Sequence, residues 1–196
     1  MKIEFAKYVL HELSLILQKQ DFALIAIDGR CGAGKTTLAK DLQAHSSASV
    51  VHMDHFYPRM EQRTAERLDE PGGNVDRERF LIEVMEPLKK REVFSYRPYY
   101  PPEDKYLSGI EIRPSSIVII EGAYSCHPDF FDEYDLSVFL TVKMHERLQR
   151  IKERNGEAGL TMFMKKWIPM EEKYFHTFDI QKNCNLCFDT STSESA

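Results

Sequence analysis

Three observations in the sequence predict an α/β fold built on a mainly parallel sheet. Short apolar runs typical of buried strands lie near residues 22–28, 50–53, 117–120, 134–140 and 185–188. Segments with helical spacing separate these runs, as the crossover connections between parallel strands require. A glycine-rich loop joins the first run directly to a helical segment. The sequence therefore predicts a five-stranded sheet with helices on both faces.

The glycine-rich loop has the sequence GRCGAGKT over residues 29–36 and matches G-x-x-x-x-G-K-[ST] at every fixed position. Its glycines allow a tight turn that points consecutive N–H groups at a polyphosphate, and the following helix adds its positive N-terminal end. Lys35 can reach the β- and γ-phosphates of ATP, and the Thr36 hydroxyl can ligate Mg²⁺. The flanking strand and helix favour this prediction over a glycine-rich turn that binds nothing. The predicted ATP-binding residues are Gly29, Gly32, Ala33, Gly34, Lys35, Thr36 and Thr37.

Composition and charge limit the classes of function. The chain has 196 residues, of which 42% are hydrophobic, and this suits one domain with a sizeable core. Its formal net charge of -5, from 31 acidic and 26 basic residues, argues against nucleic acid or an anionic membrane as the main partner. No apolar run is long enough to span a bilayer, and Glu4 and Lys7 interrupt the N-terminal segment, so no signal peptide is expected. The sequence predicts a cytoplasmic protein.

The four cysteines are too few and too scattered for a disulfide-stabilised domain: they are Cys31, Cys126, Cys184 and Cys187. The spacing of Cys184 and Cys187 resembles half of a metal site, but no second Cys or His pair accompanies it and the surrounding run is apolar. We therefore expect these residues to pack rather than to bind zinc or carry redox chemistry.

Helical patterns lie between the strands. Apolar residues three or four positions apart predict a helix over 3–17 that packs on the core, and the same spacing predicts another through 80–88. Residues 145–154 predict a charged helix that ends at Asn155-Gly156. Residues 190–196 are expected to form a polar tail without packing residues.

Two carboxylates follow predicted strands. Asp54 comes after the run at 50–53, and Glu121 ends the run at 117–120. The carboxyl ends of parallel strands face the crevice in which open α/β sheets bind ligands. Asp54 is therefore a candidate for deprotonating an acceptor hydroxyl or ordering Mg²⁺, with a helix or turn cap as the alternative. Glu121 is a candidate Mg²⁺-associated residue, and a strand order of 2-3-1-4-5 would bring both carboxylates to the rim that holds the glycine-rich loop.

The segment between these strands contains candidates for acceptor binding. A polar connection ends at Asp76, which can cap the next helix, project toward a sugar hydroxyl, or do both. Aromatic residues among prolines at 92–113 predict a small antiparallel β excursion. Most tyrosines in this excursion are expected to pack, and Tyr96 and Arg97 are the two that we single out.

Arg147, Arg150 and Arg154 share one face of the charged helix because they are three and four residues apart. A solvated face is the usual meaning of such a pattern. In a phosphoryl-transfer protein, arginines on a mobile helix can instead close over the γ-phosphate and neutralise the developing charge. We single out Arg150 and Arg154 for that role.

The ordered set of motifs resembles the uridine kinase family of P-loop kinases, in particular its short bacterial members. The resemblance extends over about residues 20–190 and implies a P-loop NTPase three-layer fold. It also implies one P-loop kinase domain over 1–196, with a lid helix at about 144–160 and an acceptor-side insertion at about 57–113. The motifs are GRCGAGKT, MDHFY, PGGNVD, SYRPYY, IIEGAY, RIKERNG and WIPMEEKYF.

The resemblance further implies transfer of the γ-phosphoryl group of ATP to the 5′-hydroxyl of a nucleoside, with Mg²⁺ as cofactor. Asp54 aligns with the family's catalytic aspartate and Glu121 with its Mg²⁺-associated glutamate, so that Thr36, Glu121 and Asp54 form the implied metal set. Lys35 is implied to be catalytic. The lid arginines are Arg150 and Arg154, and the acceptor-side residues are Tyr57, Asp76, Tyr96 and Arg97.

Three departures from the family pattern concern the acceptor side. Uridine and cytidine kinases usually have a small residue where this chain has His55, and their Asp-His-Pro turn is Asp69-Glu70-Pro71 here. No base-reading histidine is identifiable in 96–106. A kinase for another hydroxylated metabolite, such as pantothenate or a sugar phosphate, is the alternative within the enzymes. A non-catalytic nucleotide-binding switch is the alternative outside them, and a homo-oligomer is compatible with the sequence.

Overall fold

A computed structural model covers residues 2–192 and the side chains of residues 4–192. Residues 193–196, the end of the predicted polar tail, lie outside the described residues. The helices are α1 (Lys2–Leu17), α2 (Lys35–Ser46), α3 (Ala65–Asp69), α4 (Arg77–Phe80), α5 (Glu86–Lys89), α6 (Pro128–Phe131), α7 (Met144–Met162), α8 (Ile168–Thr177) and α9 (Ile180–Asn183). The strands are β1 (Ala23–Gly29), β2 (Ser49–His52), β3 (Phe94–Tyr96), β4 (Tyr99–Tyr100), β5 (Lys105–Tyr106), β6 (Ile110–Ile112), β7 (Ile117–Glu121), β8 (Leu136–Thr141) and β9 (Leu186–Asp189).

The main sheet has the strand order β2-β7-β1-β8-β9, and each neighbouring pair in it is parallel. This result confirms the predicted 2-3-1-4-5 order and makes the sheet wholly rather than mainly parallel. Every residue of β1 and of β7 is buried, as expected of strands covered on both faces. The apolar composition that predicted β1 and β7 therefore also explains why these two strands lie inside the sheet.

Alternate residues of β1 face two separate cores, because side chains alternate across a strand. Ala23 and Ile25 pack in the core that α1 and α2 cover. Leu24 and Ala26 pack in the opposite core, together with aromatic residues of α4, α6 and α8. The result is a three-layer α/β arrangement, the P-loop NTPase fold that the sequence predicts.

The predicted antiparallel excursion consists of two short pairs of strands. β3 pairs with β6, and β4 pairs with β5, both antiparallel. Neither pair joins the main sheet. The excursion therefore forms a separate wall beside the carboxyl ends of β2 and β7.

One local expectation was confirmed and another was wrong. The charged helix is interrupted where the sequence predicts, at Gly156, whose φ of 70 and ψ of -178 are not helical; beyond this kink a second helical segment of α7 continues to Met162. The segment after β9 is not a free tail, because Thr190 and Ser191 are buried. Thr190 donates its hydroxyl to the carbonyl of Ala33 at 2.9 Å, so β9 is tied to the glycine-rich loop.

Within residues 2–192, no helix combines the length and the apolar composition that a membrane crossing needs.

Candidate active site

The glycine-rich loop follows the carboxyl end of β1, and its backbone adopts conformations that residues other than glycine rarely adopt. Gly29, Gly32 and Gly34 have φ values of +132, +77 and +95, in the region that favours glycine. A Cβ at Gly29 would also collide with the backbone carbonyl of Leu140. Lys35 begins α2, and its ammonium group donates to the carbonyl of Gly29 at 2.6 Å. The loop thus places a cation and a helix N-terminus at one point, which suits a polyphosphate.

Thr36 and Glu121 meet beside the loop. The Thr36 hydroxyl lies 3.2 Å from each carboxylate oxygen of Glu121, which is 4% exposed at the end of β7. The Nδ1 atom of His52, at the end of the neighbouring strand β2, lies 2.5 Å from Glu121 Oε1. Hydroxyl and carboxylate oxygens are ligands that Mg²⁺ prefers, so this pair fits the ion.

Asp54 lies in the short 3₁₀ turn that follows β2, and its carboxylate faces the same space. Solvent reaches the carboxylate through the cavity, although protein atoms surround it. The pKa of Asp54 is raised because burial disfavours the charged form, and the charges of Glu121 and Glu171 act in the same direction while Lys35 opposes them. A raised pKa suits a group that must take a proton.

These side chains line one cavity of about 320 Å³. It extends from the glycine-rich loop to α7 and to the start of α8. Ten of the sequence-predicted site residues line it, and they come from segments far apart in the chain. They are Gly32, Gly34, Lys35, Thr36, Thr37, Asp54, Tyr57, Glu121, Arg150 and Arg154.

A second cavity of about 920 Å³ adjoins the first. Asp54, Tyr57 and Trp167 line both cavities. The rest of the second wall is largely aromatic or apolar and comes from the antiparallel excursion, including Tyr99 and Leu107. Asp54 therefore stands between a space beside the loop and a space suited to an acceptor molecule.

The two arginines that were predicted to close over the γ-phosphate differ in their bonding. Arg150 donates to the carbonyl of Gly32 at 3.1 Å, to the carbonyl of Thr190 at 2.9 Å and to the carboxylate of Glu146 at 2.9 Å. Arg154 donates to the side chain of the adjacent Asn155 and lies over the ring of Phe163. Arg150 is thus fixed to the loop, while Arg154 has no carboxylate partner among the described residues.

Five predicted residues lie outside the two cavity walls, and Gly29 of the loop is one of them. Asp76 is buried and caps α4 by accepting the N–H of Arg79 at 3.2 Å, the alternative that the sequence left open. The Tyr96 hydroxyl is bonded to His55 Nδ1 at 3.0 Å, and Arg97 donates to the carbonyls of Tyr106 and Leu107. The side chain of Ala33 is buried. Asp76, Tyr96 and Arg97 thus bond to other residues of the protein, and their side chains line neither cavity.

Two residues that shape the loop, Arg147 and Glu171, were not singled out from the sequence. Arg147 is completely buried and donates to Glu171 at 2.7 Å and to Glu172 at 2.7 Å. Glu171 lines the first cavity and accepts the backbone N–H of Cys31 at 3.1 Å. The sequence contained one signal for this contact: Glu171 and Glu172 are adjacent carboxylates in a largely aromatic segment. A buried carboxylate requires a partner, so a cation was to be expected nearby.

A parallel sheet of this order, with a glycine-rich loop after β1 and an acidic end on β7, defines a P-loop NTPase fold. The chain belongs to the AAA domain family, since the family model AAA_18 matches residues 25–162.

Solved structures share this fold at low sequence identity. The structure of a possible uridine kinase from Bacillus stearothermophilus is similar with a TM-score of 0.65 and 19% identity, over 93% of this chain and 100% of that one. The YGR205w protein is similar with a TM-score of 0.59 and 14% identity, over 96% and 92% of the two chains. YFH7 from Saccharomyces cerevisiae, whose P-loop fold is circularly permuted, gives a TM-score of 0.59 and 12% identity over 99% and 100%. At these identities the similarity shows the fold.

Among curated proteins, the chain is 29% identical over 163 residues to the inorganic pyrophosphatase TTM2 of Arabidopsis thaliana. The match covers 76% of this chain but only 23% of the length of that relative.

Proposed function

We propose that the protein transfers the γ-phosphoryl group of ATP to a hydroxyl group of a small acceptor. The observation that supports this proposal is that Lys35, Thr36, Asp54 and Glu121 line a single cavity, although they come from three separate segments. The set contains a phosphate-binding cation, oxygen ligands for Mg²⁺ and a carboxylate with a raised pKa. These are the groups that phosphoryl transfer to an alcohol needs.

In the proposed mechanism, the loop amides and Lys35 hold the phosphates of ATP. Asp54 orients the acceptor hydroxyl and takes its proton as the acceptor oxygen bonds to the γ-phosphorus, while the bond from that phosphorus to the bridging oxygen breaks and ADP leaves. Arg154 turns from the Phe163 ring toward the transferred group and stabilises its negative charge. Trp167, which lines both cavities, excludes water that would otherwise accept the phosphoryl group.

Thr36 and Glu121 would hold Mg²⁺, which when bound supplies neutralisation of phosphate charge. No cluster of three or more His, Cys, Asp or Glu side chains suited to a metal ion occurs in residues 2–192. A site with few protein ligands agrees with an ion that usually keeps several waters and binds substrate phosphates.

We further propose that residues 1–196 act as one P-loop kinase domain, with α7 as its lid and 57–113 as its acceptor-side insertion. The family resemblance points to a nucleoside 5′-hydroxyl as the acceptor, so uridine and cytidine are the first candidates. The acidic net charge of -5 supports a small-molecule substrate over nucleic acid or an anionic membrane. We also propose a cytoplasmic location.

The test is ADP release from Mg²⁺-ATP with a panel of hydroxylated acceptors, combined with the substitution Asp54→Asn. We expect Asp54→Asn to lower kcat by about 10²- to 10⁴-fold, because an amide cannot take the proton, while ATP affinity stays level. Asp132→Asn, an exposed carboxylate outside both cavities, should behave as the wild type. Nucleotide binding without phosphorylation of any acceptor would favour the switch, and unchanged turnover by Asp54→Asn would remove Asp54 from the mechanism.

A further inference from the structure

Arg63 lies in the wall of the second cavity, just after the 3₁₀ turn Met60–Gln62. The residue is half-buried. Its positive charge lowers the pKa of the Tyr57 and Tyr99 hydroxyls, which burial raises more strongly. The guanidinium group therefore stands close to two tyrosines of the same cavity.

The Arg63 guanidinium forms no hydrogen bond or ion pair with any residue between 2 and 192. This is unusual in a chain with an excess of acidic residues. Apart from Arg63, Arg97 and Arg154, each arginine pairs with a carboxylate. Arg97 donates to backbone carbonyls and Arg154 to Asn155. A half-buried cation without such a partner is a ready site for an anion.

A second cation lies near Arg63. Lys166 is half-buried, and its ammonium lies 4.7 Å from the ring centre of Trp167, which lines both cavities. Burial lowers the pKa of Lys166, and the charge of Arg63 lowers it further. No described carboxylate forms an ion pair with Lys166. Lys166 lines neither cavity, so it adds positive charge near Arg63 rather than a contact to a molecule in the second cavity.

The position of Arg63 separates it from the groups that face the loop. Lys35, Arg150 and Arg154 line the first cavity, whereas Arg63 lines only the second. A molecule in the second cavity can present a hydroxyl to Asp54, which lies where the two cavities meet, and can contact Arg63 through another of its groups. The volume of about 920 Å³ accommodates a metabolite of that kind.

We infer that the acceptor is a small hydroxylated metabolite that carries a phosphate or carboxylate group, and that Arg63 binds this anionic group. The inference rests on the proposed phosphotransfer for the role of the hydroxyl. It narrows the acceptor from any small alcohol to an anionic one. It therefore departs from the neutral nucleoside that the family resemblance alone suggests, and it makes sugar phosphates and hydroxy acids the leading candidates. Guanidinium groups bind both carboxylate and phosphate through paired N–H donors, so the two sources share one recognition chemistry.

The test measures binding by calorimetry, with the full chain saturated by Mg²⁺ and a non-hydrolysable ATP analogue. The probes form matched pairs that differ in charge: ribose 5-phosphate against ribose, and pantothenate against pantothenol, with uridine as a neutral reference. The variants are Arg63→Gln and Arg63→Lys, and the control is Arg113→Gln, an exposed arginine outside both cavities. ADP release is then measured with ATP and each ligand that binds.

We expect at least one anionic probe to bind about tenfold or more tightly than its neutral partner. Arg63→Gln should abolish most of that difference, Arg63→Lys should keep part of it, and Arg113→Gln should keep all of it. The phosphate pair and the carboxylate pair together identify which anion is preferred.

Equal binding of the charged and neutral members, binding of uridine alone, or no binding by either anionic probe would overturn the inference. So would a preference for the anion that survives in Arg63→Gln, provided that circular dichroism shows the variant to be folded. Anion-dependent binding without ADP release would support the anion site and contradict the phosphotransfer, so the two failures are distinguishable.

Discussion

The guanidinium of Arg147 and the backbone N–H of Cys31 share one carboxylate oxygen, Oε2 of Glu171, at 2.7 and 3.1 Å. Arg147 belongs to α7, Glu171 to α8 and Cys31 to the glycine-rich loop. This shared oxygen therefore joins the loop to both helices that cover it. The same oxygen accepts the backbone N–H of Cys31, so the conformation of the loop depends on the buried ion pair between Arg147 and Glu171.

Removal of Arg147 should destabilise the whole fold. We expect Arg147→Met to lower the free energy of unfolding by about 3–5 kcal/mol, because Glu171 would be left as an uncompensated buried charge. Urea denaturation measures this change. Arg113→Met, on an exposed arginine, should alter stability by less than about 0.5 kcal/mol. Similar stabilities for the two variants would show that the buried pair is dispensable.

Arg150 and Arg154 should separate in their effects, because only Arg150 is fixed in the described structure. Arg154→Ala should lower kcat by about 10²-fold with unchanged thermal stability, since its charge is available to the transferred group. Arg150→Ala should lower the free energy of unfolding by about 1.5–3 kcal/mol, the loss of charged hydrogen bonds to Thr190 and Gly32. Kinetics and urea denaturation of both variants test the contrast, and the reverse pattern would contradict the assignment.

Glu121→Gln should change how nucleotide binding depends on Mg²⁺. The substitution keeps the shape of the side chain beside Thr36 but removes its charge, so we expect the half-saturating Mg²⁺ concentration to rise about tenfold or more. Binding of ATP without Mg²⁺ should strengthen, because a negative charge near the phosphates is lost. Calorimetry with and without Mg²⁺ distinguishes these effects, and Glu133→Gln, on the exposed Glu133, serves as the control.

Asp28 should make stability fall as the pH rises from about 4 to 6. The residue is completely buried at the end of β1, and burial raises its pKa from 3.8 to about 6, although bonds from Cys126 and the charge of Lys35 oppose the shift. Between these values the folded chain holds a proton that the unfolded chain has released. The contribution is therefore full below about pH 4 and is lost by pH 6, a change of about 3 kcal/mol.

The check for Asp28 is the free energy of unfolding of the wild type and of Asp28→Asn at pH 4.5 and pH 7. The advantage of the wild type over the variant should be larger at the lower pH. Asp132→Asn should follow the wild type at both values. A difference between wild type and Asp28→Asn that does not change with pH would contradict a raised pKa.

The strands were predictable because each depends on a local pattern. Their order was predicted on the condition that the acidic strand lies between the strand at 50–53 and the strand before the loop, as it does. The run Ile117 to Ile120 is apolar throughout, which only a strand covered on both faces tolerates, and the glycines of the loop have few other uses at that spacing. The approach of Asp54 and Glu121 to Lys35 followed from the sheet order. Their chemical roles stay predictions.

Contacts between distant side chains were not predictable in the same way. Arg147 and Arg150 have the same helical spacing and the same charge, yet one is completely buried and the other lines the cavity. Which arginine bonds to Glu171 depends on where α8 packs against α7. The helical spacing of the arginines does not predict that packing. Thr190 was assigned to a tail because polar composition does not show that its hydroxyl would reach Ala33.

The order of the main sheet also affects how the chain is made. Ala23 of the central strand pairs with Ile117 and Ile25 with Leu136, so β1 leaves the ribosome long before its partners exist. Until then an apolar strand with both edges open is available for wrong pairing. The sheet is therefore most prone to aggregation while the chain is being synthesised. Because its strands pair with partners far along the chain, the topology also predicts slow folding.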